Sequence, residues 1–316
     1  MRILVTDGLE AEALAKLRSV HTVDVVEADP KQLLEIIPNY DALIVRSRTK
    51  VTAEVLSKAA KLKVVGRAGI GVDNIDVKAA TARRIPVVNA PTGSTISVAE
   101  LALGHMLSLA RQIPEADRSM KEGRWEKKRF EGRELHGKLL GLVGSGRIGA
   151  EVARRAQAFG MEVIAFDPYL PPAAARERGI RLVDTLPALL MQADFLSIHA
   201  ALTPETKGMI GATEIALMKR TAYLVNCARG EIVQEAALAD ALTSGTIAGA
   251  ALDVFEREPP TGSPILTAPN TVFTPHLGAS THEAQARAGG IIADQVLKVL
   301  RGERPDFAVN PEVYPV

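Results

Sequence analysis

The residues that could carry chemistry begin with a histidine near the end of the chain. Histidine titrates near neutral pH, so His276 suits a group that exchanges a proton with the hydroxyl or carbonyl of a small substrate. A carboxylate beside it would hold its tautomer and raise its pKa. Three acids in the preceding segment compete for that place: Asp253, Glu256 and Glu258. The residues alone also allow His276 to be an ordinary loop residue and Glu258 a solvent-exposed charge.

Arg229 is the candidate for binding an acidic substrate. It follows the strand-like run 223–226 and precedes Gly230, so we expect its side chain at the end of a strand, facing a cleft between domains where ligands of open α/β sheets bind. Its planar guanidinium matches a carboxylate with two parallel hydrogen bonds and could polarise an adjacent carbonyl. The alternative is a surface arginine beside a turn glycine.

A glycine-rich turn predicts a dinucleotide site. The apolar run 139–143 leads into Gly144, Gly146 and Gly149, and the helical pattern 150–159 follows. In such a turn one glycine makes the tight bend, the next lets pyrophosphate approach the backbone, and the third lets the helix pack on the strand. The free N–H groups of the helix then face the phosphates.

Asp167 ends the next strand-like run, 161–166. It follows the glycines by the roughly 20 residues expected of the acid that binds the adenosine ribose. A carboxylate there would repel a 2′-phosphate, so NAD is favoured over NADP. The alternative is that Asp167 merely ends a strand.

The elements that must position these residues alternate between strand-like and helix-like runs, which is typical of parallel sheets covered by helices. We expect an α/β protein with two doubly wound parallel-sheet domains, a Rossmann NAD-binding domain inserted into a flavodoxin-like substrate domain. The strand-like runs include 3–6, 22–26, 42–45, 64–66, 87–89, 195–198, 223–226, 248–253 and 271–273. The expected boundaries are 1–96 for the first substrate-binding segment, 97–281 for the NAD-binding domain and 282–316 for the returning segment.

Composition excludes several classes of function. The 316 residues carry 38 basic and 37 acidic side chains, so the net charge of +1 gives no general attraction to nucleic acid or to a membrane. No apolar segment is long enough to span a membrane, and Asp7 interrupts the first apolar run too early for a signal peptide. The single cysteine, Cys227, permits no internal disulfide and fits a cytoplasmic location. The six histidines show no metal-ligand spacing, so no metal is expected.

Taken together, the motifs resemble the D-isomer-specific 2-hydroxyacid dehydrogenases. The likeness runs from about residue 2 to residue 304, with the motifs in order at 64–76, 89–93, 143–149, 225–230, 251–255 and 275–281. Within that family it is greatest to the members that oxidise 3-phospho-D-glycerate to 3-phosphohydroxypyruvate, the first step of L-serine biosynthesis. We expect a short form of such an enzyme, without a C-terminal regulatory domain.

The resemblance implies roles for individual residues. The catalytic residues would be Arg229, which also binds the substrate carboxylate, His276 as acid and base, and Glu258 as its partner. The implied contacts to NAD are Gly144, Gly146, Arg147, Ile148, Asp167, Ala200, Cys227, Ala228, Arg229, Asp253, His276 and Gly278. Arg46, Arg67 and the loop of Gly69, Ile70 and Gly71 would bind substrate, with the arginines taking a phosphate.

Two other functions remain open at this level. A glyoxylate or hydroxypyruvate reductase, or another D-2-hydroxyacid dehydrogenase, would share the three catalytic residues. An NAD-sensing binding protein similar to transcriptional co-repressors would share the fold. In each case the family likeness implies a homodimer or homotetramer and a small 2-hydroxy or 2-oxo acid as ligand.

Overall fold

The structure, a computed structural model, describes residues 1–314. Pro315 and Val316, the end of the predicted returning segment 282–316, lie outside the described residues. The chain divides into two compact units, one formed by Met1–Thr95 with Ala279–Val316 and the other by Ile96–Gly278. Each unit contains one parallel β-sheet covered by helices.

Helices and strands alternate through residues 1–314 and are numbered here in chain order. The strands are β1 Arg2–Val5, β2 Thr22–Val25, β3 Ala42–Val45, β4 Val64–Arg67, β5 Val87–Asn89, β6 Leu139–Val143, β7 Glu162–Phe166, β8 Arg181–Leu182, β9 Phe195–Ile198, β10 Tyr223–Asn226, β11 Gly249–Leu252 and β12 Thr271–Phe273. The helices are α1 Ala11–Arg18, α2 Pro30–Ile36, α3 Ala53–Lys58, α4 Val77–Ala82, α5 Thr95–Arg111, α6 Ile113–Lys121, α7 Arg147–Ala158, α8 Pro172–Glu177, α9 Leu186–Leu190, α10 Ala212–Ala216, α11 Glu235–Thr243 and α12 His282–Leu300. Short 3-10 turns occur between several of them.

The first unit is a five-stranded parallel sheet in the order β2-β1-β3-β4-β5. Side chains alternate between its faces, so neighbouring residues Ile3 and Leu4 of β1 enter two different apolar clusters. The helix α12 covers one face, where its Val296 joins the cluster of Ile3. This strand order is the flavodoxin-like one, so the predicted class of this domain is confirmed.

The second unit is a seven-stranded parallel sheet in the order β12-β11-β10-β9-β6-β7-β8. Strands are added outward from β6 in both directions, which is the Rossmann arrangement with one further strand at the β12 edge. Phe195 of β9 is almost fully buried and stacks on Tyr223 of β10, with ring centroids 5.1 Å apart. The predicted Rossmann class is therefore also confirmed.

The segment before β6 contains two successive helices, α5 and α6. Gln112 adopts a left-handed backbone with φ of 52° between α5 and α6, and Pro114 lies in the first turn of α6. Proline fits there because that turn needs no N–H donor from it. Among residues 1–314, no helix combines the length and the apolar character needed to cross a membrane.

Candidate functional site

The strand order of the second unit reverses between β6 and β9, and ligands of such sheets bind at the carboxyl ends of the strands beside that point. The turn 144–149 follows β6, and Ala200 lies just beyond β9. Gly144 has a φ of 84°, and a Cβ on it would lie 2.9 Å from the Ala200 nitrogen. Glycine at 144 thus lets the two loops touch.

The start of α7 has the features of an anion site. A Cβ on Gly149 would lie 2.5 Å from the Gly144 oxygen, so this glycine lets α7 pack against the turn. Gly146 faces open space, because a Cβ there would meet nothing within 4 Å. Arg147, at the first position of the helix, makes no side-chain hydrogen bond or ion pair within residues 1–314. A cation at the positive end of a helix favours an anionic ligand beside it, and these residues fit a pyrophosphate.

Asp167 lies against this turn. Its Oδ2 accepts a hydrogen bond from the Ser145 nitrogen at 2.7 Å, and its Oδ1 accepts one from the Tyr169 nitrogen at 2.9 Å. Arg178 donates to the Ser145 oxygen at 2.8 Å. The acid and the glycine turn, 22 residues apart at Ser145 and Asp167, are therefore joined directly.

His276 and Glu258 form a pair. His276 Nδ1 lies 2.8 Å from Glu258 Oε2, and about half of the His276 side chain is exposed. An ionised carboxylate only accepts hydrogen bonds, so Nδ1 carries the proton and Nε2 is left to exchange one. Of the three candidate acids, Glu258 is the one whose carboxylate is hydrogen-bonded to the His276 imidazole.

The pair also shifts the pKa of each member. The hydrogen bond to Glu258 raises the pKa of His276, although burial and the charge of Arg229 oppose it. Burial alone would raise the pKa of Glu258, but the hydrogen bond and charge of His276 outweigh it, so the pKa of Glu258 is lowered. Each group therefore favours the charged form of the other.

Asp253 holds the turn that carries His276. Its carboxylate is buried, and it accepts hydrogen bonds from the Leu277 nitrogen at 2.6 Å and the Gly278 nitrogen at 2.8 Å. The His276 nitrogen donates to the Asp253 carbonyl oxygen at 2.9 Å. His276 has a φ of 53°, a left-handed backbone that costs a non-glycine residue about 1–3 kcal/mol and persists only where neighbouring contacts enforce it.

Arg229 is presented by a turn that Asn226 fixes. Asn226 is fully buried at the end of β10, where its Nδ2 donates to the Arg229 oxygen at 2.9 Å and its Oδ1 accepts from the Ala228 nitrogen at 3.0 Å. The half-buried Arg229 donates to the Ala228 oxygen at 2.7 Å. Its charge acts to lower the pKa of both Glu258 and His276, although the pKa of His276 is raised overall. The three catalytic candidates therefore lie in one electrostatic environment.

The loops that carry Arg229 and Glu258 are in contact. A Cβ on Gly230 would lie 2.0 Å from the Phe255 oxygen, so only glycine permits this approach. Glu235 and Glu256 join the loops further: the Glu235 nitrogen donates to Glu256 Oε1 at 2.8 Å, and the Glu256 nitrogen donates to Glu235 Oε1 at 2.5 Å. The relative position of the two loops is therefore fixed by the close backbone approach at Gly230 and by these two hydrogen bonds.

Residues 103–278, more than half of the chain, match the sequence profile described as D-isomer specific 2-hydroxyacid dehydrogenase, NAD binding domain. The chain belongs to the D-isomer specific 2-hydroxyacid dehydrogenases. The predicted family and the predicted cofactor, NAD, are thereby confirmed.

Three similar proteins illustrate the place of this chain in the family. The D-3-phosphoglycerate dehydrogenase of Methanocaldococcus jannaschii is 55% identical over 98% of this chain and 59% of its own length. The solved TT0316 protein of Thermus thermophilus is 38% identical with a TM-score of 0.89, covering 98% of this chain and 100% of that one. A solved glyoxylate reductase of Paecilomyes thermophila is 31% identical with a TM-score of 0.89, covering 99% of each chain. The chain spans about six tenths of the length of the curated relatives it matches.

The other residues expected at the cofactor follow strand ends in this NAD-binding unit. Ala200 follows β9, Cys227 and Ala228 follow β10, Asp253 follows β11, and Gly278 lies beyond β12. Burial, with a smaller effect of the Asp253 charge, raises the pKa of the Cys227 thiol well above its ordinary value, so it stays protonated. Residues 1–314 contain no group of three or more His, Cys, Asp or Glu side chains that could hold a metal ion.

The first unit brings Arg67 and the glycine loop together. Arg67 ends β4, and its guanidinium lies against Gly69, where a Cβ would be 1.4 Å from Nη1. Asn89, at the end of β5, donates from Nδ2 to the Ile70 oxygen at 2.6 Å. Gly71 completes this loop, which lies at the carboxyl edge of the sheet.

Arg46 follows β3, the strand beside β4. The buried carboxylate of Asp7 accepts hydrogen bonds from the Arg46 nitrogen at 2.8 Å and the Thr49 nitrogen at 3.0 Å. Burial would raise the pKa of Asp7, but the Thr49 and Arg46 hydrogen bonds lower it overall. The guanidinium of Arg46 makes no hydrogen bond or ion pair within residues 1–314, so it is available for an anion.

Sequence reasoning missed the residues that hold the loops in place. They are Asp7, Asn226, Glu235 and Glu256. Three of them bind backbone groups far away in the chain, such as Arg46 for Asp7, 39 residues distant, and no spacing rule reports such pairs. Asn226 offered one signal, a polar residue that directly follows the buried apolar strand residues of a parallel sheet.

The pair of His276 and Glu258 predicts the effect of removing the carboxylate. In Glu258→Gln the pKa of His276 should fall, because a neutral amide no longer favours the imidazolium. NMR titration of the imidazole measures it. Glu283→Gln is the matched control, since Glu283 is exposed in the first turn of α12 and has no hydrogen bond to His276. An unchanged pKa in Glu258→Gln would show that the pair does not form in solution.

Proposed function

We propose that this chain is an NAD-dependent dehydrogenase that oxidises 3-phospho-D-glycerate to 3-phosphohydroxypyruvate, the first step of L-serine biosynthesis. The observation that carries the proposal is the 2.8 Å pair of His276 and Glu258 in a unit that binds NAD, with the charge of Arg229 acting on both. The 55% identical relative named D-3-phosphoglycerate dehydrogenase supports the choice of substrate.

In this mechanism Arg229 binds the substrate carboxylate and the oxygen on C2 through its planar fork. His276 Nε2 takes the proton of the C2 hydroxyl, while Glu258 holds the proton on Nδ1 and stabilises the imidazolium that forms. NAD, when bound, accepts the hydride from C2. Oxidation needs neutral His276, and the reverse reduction needs the protonated form. Raising the pKa of His276 therefore increases the fraction of the enzyme that is ready for reduction at neutral pH.

The residues proposed to hold NAD divide between its two halves. Gly144, Gly146, Arg147 and Ile148 would face the pyrophosphate, and Asp167 the adenosine ribose, where its charge disfavours a 2′-phosphate. Around the nicotinamide half we place Ala200, Cys227, Ala228, Arg229, Asp253, His276 and Gly278. The position of these residues at the carboxyl ends of consecutive strands supports the assignment.

We assign cofactor binding to residues 97–281 and substrate binding to residues 1–96 with 282–316. The division of the chain into two compact units at nearly these positions supports the boundaries. In the substrate-binding part, Arg46 and Arg67 would bind the phosphate and Gly69, Ile70 and Gly71 would offer backbone N–H groups to the acid.

The activity is tested by NADH formation with a panel of D-2-hydroxy acids that includes 3-phospho-D-glycerate. His276→Ala should lower kcat about 10²–10⁴-fold while NADH still binds, because the general base is lost and the other cofactor contacts remain. His136→Ala, at an exposed histidine, is the control. Full activity in His276→Ala would overturn its role. Tight NAD binding without turnover of any acid would favour an NAD-sensing binding protein.

The likeness to a glyoxylate reductase makes that activity the second candidate. If the substrate is phosphorylated, Arg46→Ala should raise the KM for 3-phospho-D-glycerate about ten-fold or more, because a charged hydrogen bond to the phosphate is lost. The KM for glyoxylate should change by less than about three-fold, since glyoxylate has no phosphate to lose that bond. Arg18→Ala, on the exposed part of α1, is the control. An equal effect on both substrates would contradict the phosphate assignment.

We infer that the chain forms a homodimer or homotetramer. Ile113 and Met120, seven residues apart on α6, and the following Trp125 are between half and four fifths exposed. Exposed large apolar side chains that lie together are typical of contact surfaces. Light scattering of the purified protein measures the state, and the mass of a single chain would contradict the inference.

We propose a cytoplasmic location. The support is the single cysteine, Cys227, which is a buried thiol and suits a reducing compartment. Cell fractionation with detection of the protein would test the location, and recovery outside the cytoplasmic fraction would contradict it.

A further inference from the structure

A buried histidine is linked to the turn of His276 through Thr274 and Asp253 and has no part in the proposed mechanism. His105 sits within α5, is 2% exposed, and has its Nε2 3.0 Å from Thr274 Oγ1. Burial lowers the pKa of His105, with the charge of Asp253 opposing part of the effect, so the imidazole is neutral at pH 7. A neutral imidazole donates from one nitrogen only, and which one is fixed by its partners.

The direction of the hydrogen bonds follows from the chemistry of the partners. Thr274 Oγ1 lies 2.5 Å from Asp253 Oδ1. A carboxylate only accepts, and the hydroxyl has one hydrogen, so Thr274 donates to Asp253. The hydroxyl oxygen must then accept from His105, which places the proton of His105 on Nε2. The three side chains form a chain of hydrogen bonds that runs in one direction, from α5 to the buried carboxylate.

This chain ends at the backbone on which His276 depends. Asp253 Oδ1, which receives the Thr274 hydroxyl, also accepts from the Leu277 nitrogen, and Oδ2 accepts from the Gly278 nitrogen. The rotation of the carboxylate therefore decides whether both N–H groups are satisfied at once. Successive hydrogen bonds polarise and orient one another, so the donor at the start of the chain contributes to the orientation at its end.

We propose that His105 and Thr274 are positioning residues that orient Asp253 and thereby hold His276 Nε2 where it meets the substrate hydroxyl. The effect on rate rests on the proposed function, whereas the effect on the His276 turn does not. A purely structural His105 would fill space in the core, and any apolar side chain of similar volume would then replace it. A positioning role, by contrast, requires the hydrogen bond that His105 Nε2 donates to Thr274.

The experiment compares His105→Leu, which fills the space without a donor, with His105→Gln, whose side-chain amide can donate from about the same position. In His105→Leu the NMR-measured pKa of His276 should fall towards its ordinary value, because the turn no longer holds the ring against Glu258. The kcat for the hydroxy acid should fall about three- to ten-fold, the range expected from one lost neutral hydrogen bond. His105→Gln should restore both quantities.

Met106→Leu is the control for repacking, because Met106 is the buried neighbour of His105 and its replacement conserves volume. Thermal unfolding of every variant separates loss of stability from loss of position. An unchanged His276 pKa and kcat in His105→Leu, or an equal loss in His105→Gln, would overturn the proposal. If the unmodified protein turns over no hydroxy acid, the proposed function fails, and the NMR comparison still decides whether His105 orients the turn.

Discussion

A buried carboxylate must be satisfied by hydrogen bonds, and in this protein Asp253 obtains them from the turn that carries His276. If the turn left its left-handed conformation, these hydrogen bonds would break and the buried charge would be unpaired. The cost in free energy of that state stabilises the turn as it is. The pairing with Glu258 and the influence of Arg229 both presuppose that the imidazole is already in place. The chemistry of the site therefore depends on a group that need not react.

The same physical solution recurs at other strand ends. Loops that follow parallel strands have backbone N–H groups with no partner in the sheet, and a short polar side chain at the strand end can accept them. Asp7 does this for the segment of Arg46, and Asn226 for the turn of Arg229. Asp167 does it for the glycine turn. In each case the side chain at the strand end holds the backbone of the loop that follows.

The sequence predicted the features that are local or periodic. Alternating runs indicated two parallel sheets, and the spacing of Gly144 and Asp167 indicated the cofactor turn, because both patterns reflect geometry within one βαβ unit. The partner of His276 stayed ambiguous among three nearby acids, since a few residues of loop can place any of them. The bonds of Asp253 and the pairing of Glu235 with Glu256 depend on contacts that a single sequence does not display.

The contact of Gly230 with the Phe255 backbone has a consequence for how such a protein can change over time. The two loops fit against each other without a side chain between them, so an insertion or deletion in one moves Arg229 relative to Glu258 unless the other loop changes as well. Mutational libraries that vary one loop alone will then return mostly inactive members, whereas libraries that vary both together can find new specificities. The two loops must therefore change together during evolution, although they are well separated in the chain.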